Sequence, residues 1–166
     1  MHDVPLTAAG AITIVTSSSD EKLEFVKNRF GADYTINDKT HPEWSKEVLR
    51  LTNGEGVDYF LENGDSGTIA QSINSVKMDG NVSVIGSLSQ AKEMSDVASM
   101  ALAKRAVVRG VVVGSTQLLQ EVVRFVSRKG RRLPVEKEFG FSEENVIKAF
   151  EYLTSGTHIG KVCIMP

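Results

Sequence analysis

The sequence has one cysteine and three histidines, and this shortage excludes two kinds of site. A single thiol, Cys163, cannot form an internal disulfide, and its apolar neighbours favour a small buried side chain over a nucleophile. The histidines, His2, His41 and His158, are too scattered to provide the close ligand pairs of a zinc site. We therefore expect no bound metal and a reducing compartment.

The chain also lacks an excess of charge and long hydrophobic runs. Its 19 basic and 21 acidic residues give a formal net charge of -2, which argues against a nucleic-acid-binding surface. No run approaches the roughly 18 apolar residues of a membrane span, and the first residues do not look like a secretory signal. We expect a cytoplasmic protein that binds neither nucleic acid nor membranes.

What the sequence does have is an alternation of β-prone runs and amphipathic helices. Strands are predicted at 11–15, 34–36, 57–61, 82–85, 107–113 and 161–165. Helices are predicted at 20–30, from Trp44 to Leu51, from Ser66 with Ile69, Ile73 and Val76 on one face, around 95–103, at 117–129 and from Ser142 to Gly156. This order predicts one α/β domain over residues 1–166, with a parallel sheet covered on both faces.

Seven short segments, taken in order, resemble a known superfamily. They are 15–23, 31–37, 56–58, 61–64, 84–86, 108–110 with 113–115, and 149–153 leading to 158–162. This order resembles the cofactor domain of the medium-chain dehydrogenase/reductase superfamily, in its zinc-type alcohol dehydrogenase and quinone oxidoreductase-like members. The resemblance implies a Rossmann-like, doubly wound fold.

The same resemblance shows which parts the printed sequence does not contain. Only Met1–Gly10 precedes the first predicted strand. That is too short for an earlier strand, a G-x-G-x-x-G turn and a helix, which occupy roughly 30 residues of a βαβ unit. The catalytic domain of the superfamily is not in the sequence either. We expect a truncated Rossmann-like domain, with weak dinucleotide binding at most and no self-sufficient alcohol dehydrogenase activity.

The resemblance implies a set of cofactor contacts. Ser17 stands where NAD-preferring members carry an acidic residue, and with Ser18 and Lys22 nearby it favours the 2′-phosphate of NADP(H). Ser18 also has capping-box spacing to Glu21, so it is alternatively a helix cap. The other implied contacts are Asn63, Ile85 and Gly86 near the nicotinamide, with Gly114, Ser115 and Lys161 also near the cofactor; both glycines are alternatively turn residues.

Four residues are candidate acids or bases for chemistry without hydride transfer: Glu62, Asp65, Asp58 and His158. The leading hypothesis is a repurposed isomerase, cyclase or lyase that binds a small organic metabolite at the carboxyl ends of the strands. One alternative is an NADP(H)-dependent reductase completed by self-association or by a partner. The other is a non-catalytic binding or regulatory subunit, and Asp65 is alternatively a helix cap.

Two expectations concern strand edges. Val107–Val113 is too apolar for an exposed edge strand, and the resemblance implies pairing with its symmetry mate, so we expect a homodimer. Without the central strand, 11–15 and 57–61 each need a new neighbour. We expect Lys161–Met165, from its own chain or from a swapped partner, to fill that slot, with Asp3–Ala8 or direct closure of the two strands as alternatives.

Overall fold

The computed structural model describes residues 9–88, 93–130 and 135–166, in which helices follow strands along the chain. The strands are β1 (Ile14–Ser17), β2 (Tyr34–Asn37), β3 (Val57–Glu62), β4 (Val76–Val84), β5 (Val107–Gly110), β6 (Val135–Gly140) and β7 (Lys161–Met165). The helices are α1 (Asp20–Phe30), α2 (Trp44–Leu51), α3 (Ile69–Ser75), α4 (Val97–Lys104), α5 (Thr116–Arg128) and α6 (Glu143–Thr154). All described strand pairs are parallel, which confirms the predicted α/β class.

The first strand begins three residues later than predicted. Asp33 explains the shift, because its carboxylate accepts hydrogen bonds from the backbone N–H and the hydroxyl of Thr13, at 2.8 and 3.2 Å. The ladder with β2 therefore starts only at Ile14, which lies opposite Tyr34. The following helix, α1, has the predicted bounds and ends at Gly31, whose φ of 73° suits glycine.

The fourth strand is longer than predicted and contains a bulge. Val57 lies opposite Val76, but Tyr59 lies opposite Asn81, so residues 77–80 bulge out of the ladder. Asp79 in this bulge has a φ of 62°, and the predicted turn at 79–80 is thus an interruption inside β4. Val76 begins the strand instead of ending the helix face.

Helix α2 joins the first two sheets. Trp44 and Val48 on this helix form a buried cluster with Ile36 of β2. Val57 and Phe60 of β3 pack against the same cluster, and the Trp44 and Phe60 rings stack with centroids 5.5 Å apart. A second cluster, formed by Ile69, Ile73, Val76 and Val82, buries α3 against β4.

The prediction that Lys161–Met165 of the same chain fills the central slot is wrong. β7 pairs with β6, a strand that the sequence analysis did not predict and that gives Lys161–Met165 a partner of its own. Within the described residues β1 pairs only with β2, and β3 belongs to a separate sheet with the order β3-β4-β5. Direct closure of β1 onto β3 is therefore not seen either, and Asp3–Ala8 lies outside the described residues.

The apolar run Val107–Val113 is only partly a strand. β5 ends at Gly110, although the Val111 backbone N–H still donates to the Val84 carbonyl at 2.8 Å. The following Val112 is 95% exposed. β5 is the outer strand of its sheet among the residues that the structure describes.

Candidate functional site

The ribose-side candidates lie where β1 ends and α1 begins. Ser17 is the last residue of β1, and its hydroxyl oxygen accepts the Ser19 N–H at 3.3 Å, which leaves its own O–H proton to donate. Ser19 caps α1 by accepting the backbone N–H of Lys22 at 3.3 Å. The capping alternative for Ser18 is therefore wrong by one residue, and the Ser18 side chain is exposed.

The ammonium of Lys22 reaches across to the far end of the chain. Its Nζ donates to the carbonyl oxygen of Gly156 at 3.0 Å, which joins the start of α1 to the loop before β7. An ammonium has three N–H donors, so one carbonyl does not exhaust it. Asn37 Nδ2 donates to Asp20 Oδ1 at 2.6 Å, so the carboxylate of the first residue of α1 accepts a hydrogen bond from the end of β2.

Glu62, a candidate acid or base, is buried at the carboxyl end of β3 with 2% of its surface exposed. Its Oε1 accepts the backbone N–H groups of Gly64 and Asp65, at 2.5 and 3.1 Å, and the Thr68 hydroxyl at 2.6 Å. Its Oε2 accepts the hydroxyl of Ser72. A buried carboxylate needs such donors, and these tie the end of β3 to α3.

The loops after β3 and β4 interlock. The Ile85 N–H donates to the Glu62 carbonyl at 2.8 Å, and the Leu88 N–H donates to the Asn63 carbonyl at 3.1 Å. A Cβ added at Gly86 would lie 2.9 Å from the Asn63 carbonyl oxygen and 3.1 Å from Asn63 Oδ1. The structure thus brings together the three residues that the resemblance implies near the nicotinamide, and only glycine fits at position 86.

Asp65 adds a side-chain bond between these loops. It has a φ of 63°, and its Oδ2 accepts the Ser87 hydroxyl at 2.7 Å. The helix predicted to begin at Ser66 begins only after Thr68. Asp65, which was alternatively a helix cap, is the first residue of a short 3-10 turn before it.

The remaining acid and base candidates lie elsewhere. Asp58 is near the start of β3 and forms an ion pair with Lys77, whose hydrogen bond and charge lower the pKa of the Asp58 carboxyl. The His158 ring lies 6.5 Å from the Tyr152 ring, and its buried Nδ1 has no hydrogen-bond partner within the described part of the chain.

The other implied cofactor contacts are spread over the second half of the chain. Gly114 and Ser115 precede α5, and the Ser115 hydroxyl caps that helix by accepting the Leu118 N–H at 3.3 Å. Lys161 begins β7, opposite Val135. The structure places these three residues at a helix start and a strand start.

Sequence reasoning missed the hydroxyl donors around Glu62. Thr68 and Ser72 are four residues apart, so they share one face at the start of α3. Two hydroxyls at helical spacing shortly after a strand that ends in a glutamate were the available signal. Ser87, the partner of Asp65, had no such signal.

The described residues contain neither a metal-ligand cluster nor a membrane-spanning helix. No three His, Cys, Asp or Glu side chains in 9–88, 93–130 or 135–166 come together as a metal centre requires. In the same ranges, no helix combines the length and apolar character needed to cross a bilayer.

Known proteins match this chain over most of its length. A family model described as zinc-binding dehydrogenase matches residues 6–128. A zinc-type alcohol dehydrogenase-like protein of Schizosaccharomyces pombe is 39% identical over 160 residues, which are 95% of this chain and 45% of that protein. L-threonine 3-dehydrogenase of Pyrococcus furiosus is 31% identical over 166 residues, with the same two coverages of 95% and 45%. The chain spans about half the length of these relatives.

Solved structures agree with the sequence matches. A structure from Sinorhizobium meliloti 1021, assigned to the alcohol dehydrogenases, has a TM-score of 0.84 and 36% identity over 97% of this chain and 46% of its own. An NAD-dependent alcohol dehydrogenase has a TM-score of 0.84 and 25% identity over 98% of this chain and 46% of its own. These likenesses confirm the Rossmann-like fold.

Proposed function

Because this chain belongs to the zinc-binding dehydrogenase family, we propose that it binds NADP(H) and serves as the cofactor-binding part of an oxidoreductase. The family assignment agrees with the medium-chain dehydrogenase/reductase resemblance in the sequence. Its relatives are dehydrogenases and reductases, which supports hydride transfer over the isomerase, cyclase or lyase chemistry that the sequence analysis favoured.

The observation that carries the proposal is the donor set at the end of β1. Ser17 provides a hydroxyl where an acidic residue would repel a phosphate, and Lys22 provides an ammonium in the first turn of α1. Hydroxyl and ammonium donors fit a 2′-phosphate, and the amino-terminal end of α1 carries a partial positive charge. A bound NADP(H) would accept or supply the hydride, while these residues hold its adenosine ribose.

The positions of the four candidate acids and bases favour this function over acid–base catalysis. Asp58 and Glu62 are four residues apart on one strand, which separates them by about 13 Å. Asp58 is paired with Lys77, and Glu62 is buried among donors. His158 packs beside Tyr152 in the carboxyl-terminal part of the chain. Of the four, Glu62 and Asp65 lie together, and both carboxylates already accept hydrogen bonds from within the chain.

The test is a fluorescence titration of the 166-residue chain with NADPH and with NADH. We expect NADPH to bind more tightly, and Lys22→Gln to weaken NADPH about tenfold or more, since a charge-assisted contact contributes about 1.5–3 kcal/mol. Lys27→Gln, an exposed lysine in the last turn of α1, is the matched control and should change nothing. Equal or tighter binding of NADH would overturn the preference.

We further propose that a second copy pairs with the segment that follows β5. Support comes from Val112 and Val113, which are 95% and 84% exposed next to an outer strand. An apolar, extended edge of this kind favours pairing with another strand.

Light scattering at micromolar concentration tests the dimer. Val112→Pro should lower the mass to that of a monomer because proline cannot donate to a ladder, whereas Val112→Thr, which keeps the N–H, should not. Val111 is unsuitable because its N–H already donates to Val84 within the chain. A monomeric parent chain, or a dimer that persists in Val112→Pro, would contradict the proposal.

A further inference from the structure

We propose that Glu62 is a positioning residue, whose buried carboxylate holds the loops after β3 and β4 together as one wall of the cofactor crevice. Its effect on cofactor binding rests on the function proposed above. Its effect on the two loops does not, because it follows from the hydrogen bonds alone.

The Glu62 carboxylate points toward α3. Glu62 is 2% exposed, and its acceptor atoms receive hydrogen bonds from two backbone N–H groups and from the Thr68 and Ser72 hydroxyls. Both hydroxyls come from the start of α3, so the carboxylate is directed toward this helix. A substrate proton in the crevice has no short path to a group held in this way, which favours positioning over acid–base chemistry.

The loop that Glu62 holds has an unusual backbone conformation at Asp65. Asp65 has a φ of 63°, which is costly for a residue with a side chain unless other contacts stabilise it. Glu62 Oε1 accepts the Asp65 N–H at 3.1 Å and the neighbouring Gly64 N–H at 2.5 Å. The carboxylate therefore fixes the backbone at the point where it takes this unusual turn.

The loop after β3 is bonded in turn to the loop after β4. Asn63, between Glu62 and the held amides, accepts the Leu88 N–H at 3.1 Å, and its backbone leaves no room for a side chain at Gly86. Ser87 of the same loop donates to Asp65 at 2.7 Å. A shift of Asn63 must therefore move the loop after β4, although Glu62 makes no side-chain bond to that loop among the described residues.

Hydrogen exchange of single amides tests the coupling without any nucleotide. Glu62→Gln keeps the size of the side chain and one oxygen for the Gly64 and Asp65 N–H groups, but a neutral amide oxygen accepts these hydrogen bonds more weakly than a carboxylate does. We expect exchange at Leu88 to speed up about tenfold, together with Gly64 and Asp65, while the β2 amides keep their rates. A variant with only a general loss of stability would speed exchange in β2 as well. An unchanged Leu88 rate in folded Glu62→Gln would overturn the proposal.

A second variant covers the case in which Glu62→Gln does not fold. Ser72→Ala removes one donor and keeps the carboxylate, so we expect a smaller acceleration, about threefold, at Gly64 and Leu88. Unchanged rates at both amides would overturn the proposal. Glu55→Gln, an exposed residue before β3, is the control and should leave both rates unchanged.

Two ligands then separate this role from the proposed function. Glu62→Gln should weaken NADPH about tenfold and leave adenosine 2′,5′-bisphosphate, which lacks the nicotinamide, unchanged. Equal weakening of both ligands would overturn the assignment to the nicotinamide side. If the parent chain binds neither ligand, the NADP(H) function fails, and the Leu88 exchange rate still decides the positioning role.

Discussion

The chain before residue 111 and the chain after it are stabilised in different ways. In the described residues 9–110, nine apolar side chains are buried, the first at Leu23 and the last at Val82. In the described residues from 111 onward, only Val126 and Ala149 are. The first region has two apolar clusters that join helices to sheets, whereas most large apolar side chains of the two helices in the second region are exposed.

The second region is connected mainly by polar contacts. β6 has a bulge at Glu136, since Val135 lies opposite Lys161 and Lys137 lies opposite Val162. The Glu136 carboxylate accepts both the Tyr152 hydroxyl and the Ile159 backbone N–H, and so ties α6 and the loop before β7 to β6. Helical periodicity therefore predicts a helix but does not say what covers its apolar face.

The largest expected difference between the regions is the effect of an apolar truncation. Ile73→Ala in α3 should lower the free energy of unfolding by about 2–5 kcal/mol, because Ile73 is fully buried. Phe150→Ala in α6 should cost no more than about 0.5 kcal/mol, since Phe150 is 60% exposed. Urea denaturation at low protein concentration measures both.

The same pair of variants tests whether a second copy covers α6. A protein interface stabilises the folded chain by mass action, so the cost of Phe150→Ala would then grow with protein concentration. Equal costs for the two variants at every concentration would remove the distinction between the regions.

A smaller contrast is expected at two glycines with positive φ. Gly56 and Gly156 have φ values of 91° and 67°, so alanine at either site should cost at least about 1 kcal/mol. A Cβ at Gly56 would also lie 2.6 Å from the Ser75 carbonyl oxygen, whereas Gly156 has open space. Overpacking should add about 1–3 kcal/mol to Gly56→Ala alone. Thermal unfolding of the two variants, compared with the parent, gives the difference, and similar midpoints would argue against tight packing there.

Sequence patterns predicted the elements of the first region well, because there the periodicity and the buried face coincide. The bounds of α1 are as predicted, and Gly31 ends it. The errors lie where side chains compete with the backbone ladder, as Asp33 does at Thr13. In the second region β6 was missed because most of its side chains are exposed and its sequence lacks the expected apolar alternation.

The candidate site was predictable only in part. The resemblance brought Asn63, Ile85 and Gly86 together, and the structure explains this by the carboxyl ends of adjacent strands meeting at one sheet edge. The spacing of Thr68 and Ser72 was a signal for hydroxyls on one helix face, but it did not show that they bond to Glu62, because the bond to Ser72 joins residues ten apart across a turn. Likewise, no spacing rule connects Lys22 with Gly156, 134 residues later.

The smallest expected difference concerns one exposed ion pair in each region. Arg105 donates to both carboxylate oxygens of Asp79, which ties the β4 bulge to the end of α4, and this bonding lowers the pKa of the Asp79 carboxyl. A lowered pKa stabilises the folded state above the ordinary value of 3.8, and that contribution is lost as the pH falls through the folded value. The stability advantage of the parent over Asp79→Asn should therefore shrink as the pH is lowered from about 5 toward 2.

The pair formed by Glu144 and Lys148 is the matched control, because it lies within one turn of α6 and joins no two elements. Glu144→Gln should change stability less than Asp79→Asn at neutral pH, since a local helical pair contributes little. Urea denaturation at a series of pH values measures both differences, and added salt should reduce each. A difference between parent and Asp79→Asn that stays constant down to low pH would mean that the Arg105 contact does not stabilise the bulge.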